Sequence, residues 1–417
     1  SSSSCAADSG TPMPVPVLTL DLLQTLTLAA VVYYAGVLLR QRISLLNRLN
    51  IPSAVVGGLV FAAVVFVCRD RFLNLQLETT GQPLLLVAFF TTIGMGASVA
   101  LLRSGGAAVV IFLTFATVVC VAQNVLGMGV ATALGENPLM GVMAGSVTLM
   151  GGPATGLAFA PEFTKAGLPG AEVLAITSAV FGIVCGGLAG GPVGTWLVHR
   201  HKLKAAAQQA TPAGGSVPGE QAREIVVHVE REDTAIIRNL AVLALAMGVG
   251  SILSRYIQAT GFTLPAYIGA MIVACALRNV DDATGWLRID EDSMDFIGGI
   301  ALNIFLVVAL MDLKIWQLAG QALPLFVILV AQLALLVGLA ILVSWRLMGR
   351  DYESAVMAGG FIGFAMGTTA NAVANMRTLA GRFGPAPRAF LVVPLVGAFF
   401  IDFINALVIT GFVNWLR

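Results

Sequence analysis

Stretches of about 20 apolar residues recur along the whole chain, each long enough to cross a hydrocarbon core of roughly 30 Å. They fall at about 18–39, 52–68, 83–102, 106–134 and 171–198, and again at about 236–257, 263–278, 296–313, 318–345 and 389–413. Inside hydrocarbon the backbone must satisfy its own hydrogen bonds, so such segments read as helices. Charge supports this. Only 11% of the 417 residues are charged, whereas a soluble domain carries about 25% to cover its surface. The expected fold class is an all-α polytopic membrane protein in a lipid bilayer. The net charge of +1, with no basic cluster in a soluble domain, argues against nucleic acid as a partner. Cys5, Cys68, Cys120, Cys185 and Cys275 show no CxxC spacing, and four of them read as small hydrophobes in or beside apolar segments.

The ten spans divide into two sets of five that are internal repeats. Val142-Met-Ala-Gly145 recurs as Val356-Met-Ala-Gly359, and Ala166-Gly167 with Gly170 recurs as Ala380-Gly381 with Gly384. Pro52 pairs with Pro265 and Gly182 with Gly397 at nearly the same offset. Several ordered matches of this kind are the internal symmetry of secondary transporters. The division expected is a tail over 1–17 without the positive start of a signal peptide, a first five-helix repeat over 18–198, a cytoplasmic linker loop over 199–234, and a second repeat over 235–417. Placing both termini outside puts most of the 23 Lys and Arg inside, Arg200, Lys202 and Lys204 among them, as the positive-inside rule requires. Five is odd, so the second repeat is then inverted relative to the first.

Each half also holds an apolar segment broken by glycine, at about 139–160 and 354–376. The orientation holds only if both return to the side they entered, as re-entrant hairpins. Gly151-Gly152-Pro153 cannot continue a helix, and the second break falls around Gly363 to Thr369. Irregular backbone at membrane depth survives only where protein or a water-filled cavity satisfies it. Free N–H groups at a half-helix start attract carboxylates, while carbonyls and hydroxyls suit Na+. The candidate binding set is therefore Thr148, Gly151, Gly152, Thr155, Gly156, Gly367, Thr368, Thr369, Asn371 and Asn375. The competing reading of each small residue here is tight helix packing. The two tips are expected to meet near the midplane.

Asp402 stands within the last apolar span, with Asn405 three residues on and on the same face. A charge there costs about 2.5–3.5 kcal/mol on insertion scales. The pair suits Na+ or a substrate ammonium; the competing role is holding a loop amide. Gln123 and Asn124, inside the fourth span, read either as interhelical hydrogen bonds or as cavity lining. Asp312 beside Lys314 reads as an interfacial ion pair, and Arg377, Arg382 and Arg388 as positive-inside residues. An enzyme is not expected: no HExxH or Gly-x-Ser-x-Gly occurs, and Asp402 has no partner Asp in a span. A channel would need a repeated carbonyl filter, which is missing from the sequence.

At Ile51-Pro-Ser-Ala-Val-Val-Gly-Gly58, Phe89-Phe-Thr-Thr-Ile-Gly94, Asn137-Pro-Leu-Met-Gly141, Arg382-Phe-Gly-Pro385 and above all the run from Phe390 to Ile409, the sequence resembles the bacterial sodium/glutamate symporter family. The resemblance spans about 18–417, less the 199–234 loop. It implies two inverted five-helix domains with re-entrant hairpins, a homodimer with a mobile transport core in the bacterial inner membrane, and uptake of L-glutamate with Na+ as coupling ion. A carrier of a dicarboxylate or another amino acid is the near alternative. The family reads Ser-Gly-Gly-His-Gly-Thr-Gly at the first hairpin, where this chain has Pro153 in place of the His and Ala154 in place of a Gly. That departure bears on substrate identity.

Overall fold

The computed structural model of the chain describes residues 15–205, 233–260, 264–318 and 320–416. Residues 1–14 of the expected tail and most of the expected linker, 206–232, lie outside the described residues. The first half runs α1 (Leu22–Arg42), α2 (Ser53–Cys68), α3 (Gln82–Gly96) and α4 (Gly106–Ala133). Then come α5 (Pro138–Val142), which passes into a π-helical turn over Met143–Val147, then α6 (Gly152–Lys165) and α7 (Ala171–Arg200). The second half repeats this order. It runs α8 (Asp233–Ala259), α9 (Ala266–Thr284), α10 (Glu291–Met311), α11 (Ala322–Leu339), α12 (Tyr352–Ala365) and α13 (Thr369–Phe383). It ends with α14 (Pro387–Leu395), a π-helical turn over Val396–Phe400, and α15 (Ile401–Leu416).

Two features depart from expectation. Val17–Leu20 pairs in parallel with Asn74–Leu77, so a two-stranded ribbon joins the start of α1 to the end of α2; the four residues of each strand are too few to show a period. Among the described residues, six helices rather than ten are long and apolar enough to cross a membrane, or seven with the bent pair Pro387–Ala398 and Ile401–Leu416. The helices at the other expected positions are short or charged. α2 has 16 residues and α3 has 15, about 24 and 22 Å of rise. α9 carries Arg278, Asp281 and Asp282 in its last turns.

Helix starts follow local chemistry. Asp21 and Gln24 form a capping box on α1, Asp290 caps α10, and Asp351 caps α12 by accepting from the Ser354 N–H. These oxygens satisfy N–H groups that a helix start leaves free. The start of α6 differs: Gly151 is its N-cap, no side chain caps it, and Pro153 stands in its first turn.

The packing does not follow the two halves. α1, α2 and α3 pack with α8, α9 and α10, and α4, α5, α6 and α7 pack with α11 to α15. The second group holds a core of Phe112, Phe115, Phe361 and Phe364, whose rings meet at 4.9–6.3 Å. The groups meet where Ala154 and Leu157 of α6 join the core of α1, α2 and α10.

Candidate functional site

α5 and α6 form one helical hairpin, and α12 and α13 form another. The mouth of the first is tied by Asn137, whose Nδ2 donates to the Gly167 carbonyl at 3.0 Å. The mouth of the second is tied by the Tyr352 hydroxyl, which donates to the Gly384 carbonyl. α7 runs alongside both and acts as a ruler. It begins at Ala171, just past the first mouth, and ends near the second, where the His199 and Phe383 rings lie 5.4 Å apart. Thirty residues separate those ends, about 45 Å of helix. The hairpins therefore enter from opposite ends of α7.

Their tips meet between those ends. A Cβ on Gly152 would lie 3.4 Å from the Gly367 carbonyl oxygen. Gly152 has φ +68°, in the left-handed region that favours glycine. The second tip presses on α7 so closely that a Cβ on Gly182 would lie 2.1 Å from the Met366 oxygen.

The second break falls where expected: α12 ends at Ala365 and α13 starts at Thr369. The first begins earlier than Gly151. Gly145 leaves helical geometry at φ −99° and ψ −133°, inside a π-helical turn, and Thr148 and Leu149 return to helical geometry before the chain bends at Met150 and Gly151. Gly151 and Gly152 shape only the last part of that break.

The candidate residues divide by what their polar atoms do. The Thr148 hydroxyl donates to the Met143 carbonyl at 2.7 Å, so it closes the turn of its own hairpin. Gly156 gives room for Thr148 and Ala175, which is packing. Asn371 Nδ2 donates to the Ile183 carbonyl at 2.8 Å, and Asn375 Nδ2 to the Gly186 carbonyl at 2.9 Å. Both asparagines share a face, as their spacing predicts, and both fasten α13 to α7. Asn371 keeps its Oδ1 buried and unpartnered. Thr368 caps α13, and Thr369 donates to the Gly397 carbonyl at 2.8 Å. Thr155 is buried in the first turns of α6, beside Gly151 at the tip.

Asp402 lies in the first turn of α15, directly after the π-helical turn, and is half-buried. Its carboxylate has no hydrogen-bond or ion-pair partner among the described residues, and Cys120 of α4 is within its electrostatic reach. The π-helical turn and α15 touch both hairpins: Gly397, in that turn, meets Thr369, and Asn405 Nδ2 donates to the Ser146 carbonyl at 2.9 Å. Asp402 stands between those two contacts. Asn405 Oδ1 remains buried without a partner.

Gln123 and Asn124 form interhelical hydrogen bonds. Asn124 Oδ1 accepts from the Ser146 N–H at 2.9 Å, Gln123 Nε2 donates to the Ala365 carbonyl at 3.1 Å, and Gln332 Nε2 donates to the Gln123 carbonyl at 2.7 Å. Ser146 and Gln332 were not singled out by the sequence; each is one polar residue in an apolar run, and only the fold shows what it faces. Asp312 and Lys314 interact without forming an ion pair among the described residues, whereas Arg388 pairs with Asp351 at 2.8 Å and so fastens α14 to the start of α12.

No group of three His, Cys, Asp or Glu occurs among the described residues. The oxygens at the break are one carboxylate, amide carbonyls and hydroxyls, a low-charge set of hard ligands. Such a set fits a monovalent cation. The arrangement as a whole offers an uncapped helix start for an anion and neutral oxygens for a cation, close together.

The family description "Sodium/glutamate symporter" matches residues 18–385, ending before Asp402. A sodium/glutamate symporter of Escherichia coli (strain K12) is 40% identical over 399 residues, covering 94% of this chain and 96% of its own length. One from Haemophilus influenzae is 37% identical over 394 residues, covering 93% and 96%. Among solved structures, a sodium proton antiporter from Methanocaldococcus jannaschii is similar over 95% of this chain and 98% of its own, at 15% identity and a TM-score of 0.45. The family match over residues 18–385 and the identity over most of both chains show that the chain belongs to the sodium/glutamate symporter family.

Proposed function

We propose that this protein is a Na+-coupled symporter that carries L-glutamate across the bacterial inner membrane by alternating access. The observation that carries the reading is the meeting of two opposed hairpin tips, Gly152 against Gly367, at a helix start that no side chain caps. Free N–H groups there suit a solute carboxylate, and the unpaired Asp402 beside them suits Na+.

In this reading the hairpins are re-entrant, and the two halves are inverted repeats of five spans with both termini outside. Asp402 and Asn405 hold Na+. The start of α6 at Gly151 and Gly152, with Thr155, receives the carboxylate; Gly367, Thr368 and Thr369 line the facing side. Thr148, Gly156, Asn371 and Asn375 keep the tips in register through the bonds and contacts described above. Na+ binds first because it offsets the charge of an anion entering a poorly hydrated site. The group containing both hairpins then moves against the group of α1, α2, α3, α8, α9 and α10, within a homodimer. The cycle makes and breaks no covalent bond.

A second reading, Na+-coupled transport of another small anion, is favoured by Pro153. It stands in the first turn of α6 and removes one N–H from the carboxylate site. Thermal unfolding of the purified protein tests the first reading. L-glutamate is expected to raise the midpoint in sodium chloride and to leave it unchanged in choline chloride. An equal rise in both salts would sink Na+ coupling, and a rise with a dicarboxylate alone would favour the second reading.

A further inference from the structure

The backbone of Ser146 is gripped from two sides. Its N–H donates to Asn124 Oδ1 on α4, and its carbonyl accepts from Asn405 Nδ2 on α15, both at 2.9 Å. Those bonds fix which way each amide points. They leave Asn405 Oδ1 turned away from the carbonyl, fully buried and without a partner, and the Ser146 hydroxyl is in the same condition. A buried acceptor left unpaired costs roughly 1–3 kcal/mol, so two such side-chain oxygens around one residue call for an occupant. Two helices thus converge on Ser146, α4 through Asn124 and α15 through Asn405. Asp402 precedes Asn405 by three residues on α15, so the two side chains share a face about one helical turn apart.

The same carbonyl carries the tip. Besides Asn405, the Ser146 oxygen accepts from the Met150 N–H at 3.2 Å and the Gly151 N–H at 3.0 Å. An oxygen with two lone pairs thus serves three donors, two of which shape the turn leading into α6.

We propose that Ser146 is a third ligand of the coupling cation, its hydroxyl acting with Asn405 Oδ1 and Asp402, and that the cation sets the first hairpin tip through the Ser146 carbonyl. The proposal rests on the Na+-coupled reading and adds to it a named ligand and a route to the solute site. With the cation bound, Asn405 is held in place on the Ser146 oxygen, and the Met150 and Gly151 bonds keep the N–H groups of α6 aimed at the solute. Linkage makes the effect reciprocal, so solute tightens cation binding by the same factor.

The test is a sodium chloride titration of thermal unfolding at constant ionic strength, with choline chloride as replacement. It is read for wild type, Ser146→Ala, Ser146→Cys and Ser178→Ala. Ser178 is also fully buried with an unpartnered hydroxyl but lies on α7, so it reports loss of a buried hydroxyl alone. The half-saturating Na+ concentration is expected to rise about tenfold or more in both Ser146 variants and to stay at the wild-type value in Ser178→Ala. The cysteine fills the volume while offering a soft sulfur to a hard ion. L-glutamate affinity in the Ser146 variants is expected to fall at low Na+ and recover at saturating Na+. Unchanged half-saturation in both Ser146 variants would overturn the proposal and assign those oxygens to an ordered water. A wild-type protein indifferent to Na+ would overturn the coupled reading itself, and this inference with it.

Discussion

The residue that most separates this chain from a bundle of apolar helices is Asp402. It is half-buried, follows a π-helical turn and finds no partner among the described residues. A carboxylate kept in such a place costs stability, and under the proposed function a bound cation offsets that cost. Asp402→Asn keeps the shape and removes the charge. The expected outcome is a protein that folds with an unfolding midpoint at or above that of wild type and no longer responds to Na+; a retained response would move the cation site elsewhere. Asp351 has a different task. It caps α12 and pairs with Arg388. Burial raises its pKa, but bonds from Ser354 and the Arg388 charge outweigh that and hold it below the ordinary 3.8. A depressed carboxylate contributes stability above its unfolded pKa and loses it as pH falls through the lower folded value. Acid unfolding of wild type is therefore expected to show a component below about pH 4 that Asp351→Asn lacks. Asp351→Ala is expected to cost about 1 kcal/mol through the lost cap, read by chemical denaturation in detergent.

At the scale of elements, the hairpins are held by side-chain bonds to backbone carbonyls, from Asn137, Tyr352, Asn371 and Asn375, and by close backbone contact at the tips. Gly182 lets the Met366 carbonyl rest on α7. Gly182→Ala puts a methyl where no space exists and is expected to destabilise by roughly 1–3 kcal/mol, with α13 becoming the first segment to exchange amide hydrogens. Gly152→Ala strains a left-handed residue by about 1–2 kcal/mol at the start of α6. It is expected to weaken solute binding more than Na+ binding, checked by titrating each separately. Much of this was legible in the sequence. Gly151-Gly152-Pro153 announced the first break, and Asn371 and Asn375 announced a shared face. The kink at Gly145 was not legible, because Val-Met-Ala-Gly-Ser-Val reads as ordinary helix until Asn124 captures the Ser146 N–H. The hydroxyl of Thr148 could be counted from sequence, but not its loss to the Met143 carbonyl. A side chain's partner depends on packing between segments far apart in the chain.

For the whole molecule, the repeat seen in the sequence is one of element order, whereas packing sorts the helices across the halves. The first three helices of each half form one group, and the fourth and fifth of each form another with both hairpins. Offsets between matched motifs reveal the first relation and are silent on the second, since burial chooses partners by face and not by position. The division also gives a carrier two bodies that can move against each other, with the tips, α7 and α15 in one of them. The central claim is that the cation at Asp402 drives the solute held at the tips. The direct measurement is uptake of labelled L-glutamate into proteoliposomes, with and without an inward Na+ gradient, for wild type and Asp402→Asn. The account predicts accumulation by wild type only with the gradient, and none above background for the variant. Equal uptake with and without Na+, or gradient-driven uptake that survives in Asp402→Asn, would contradict it.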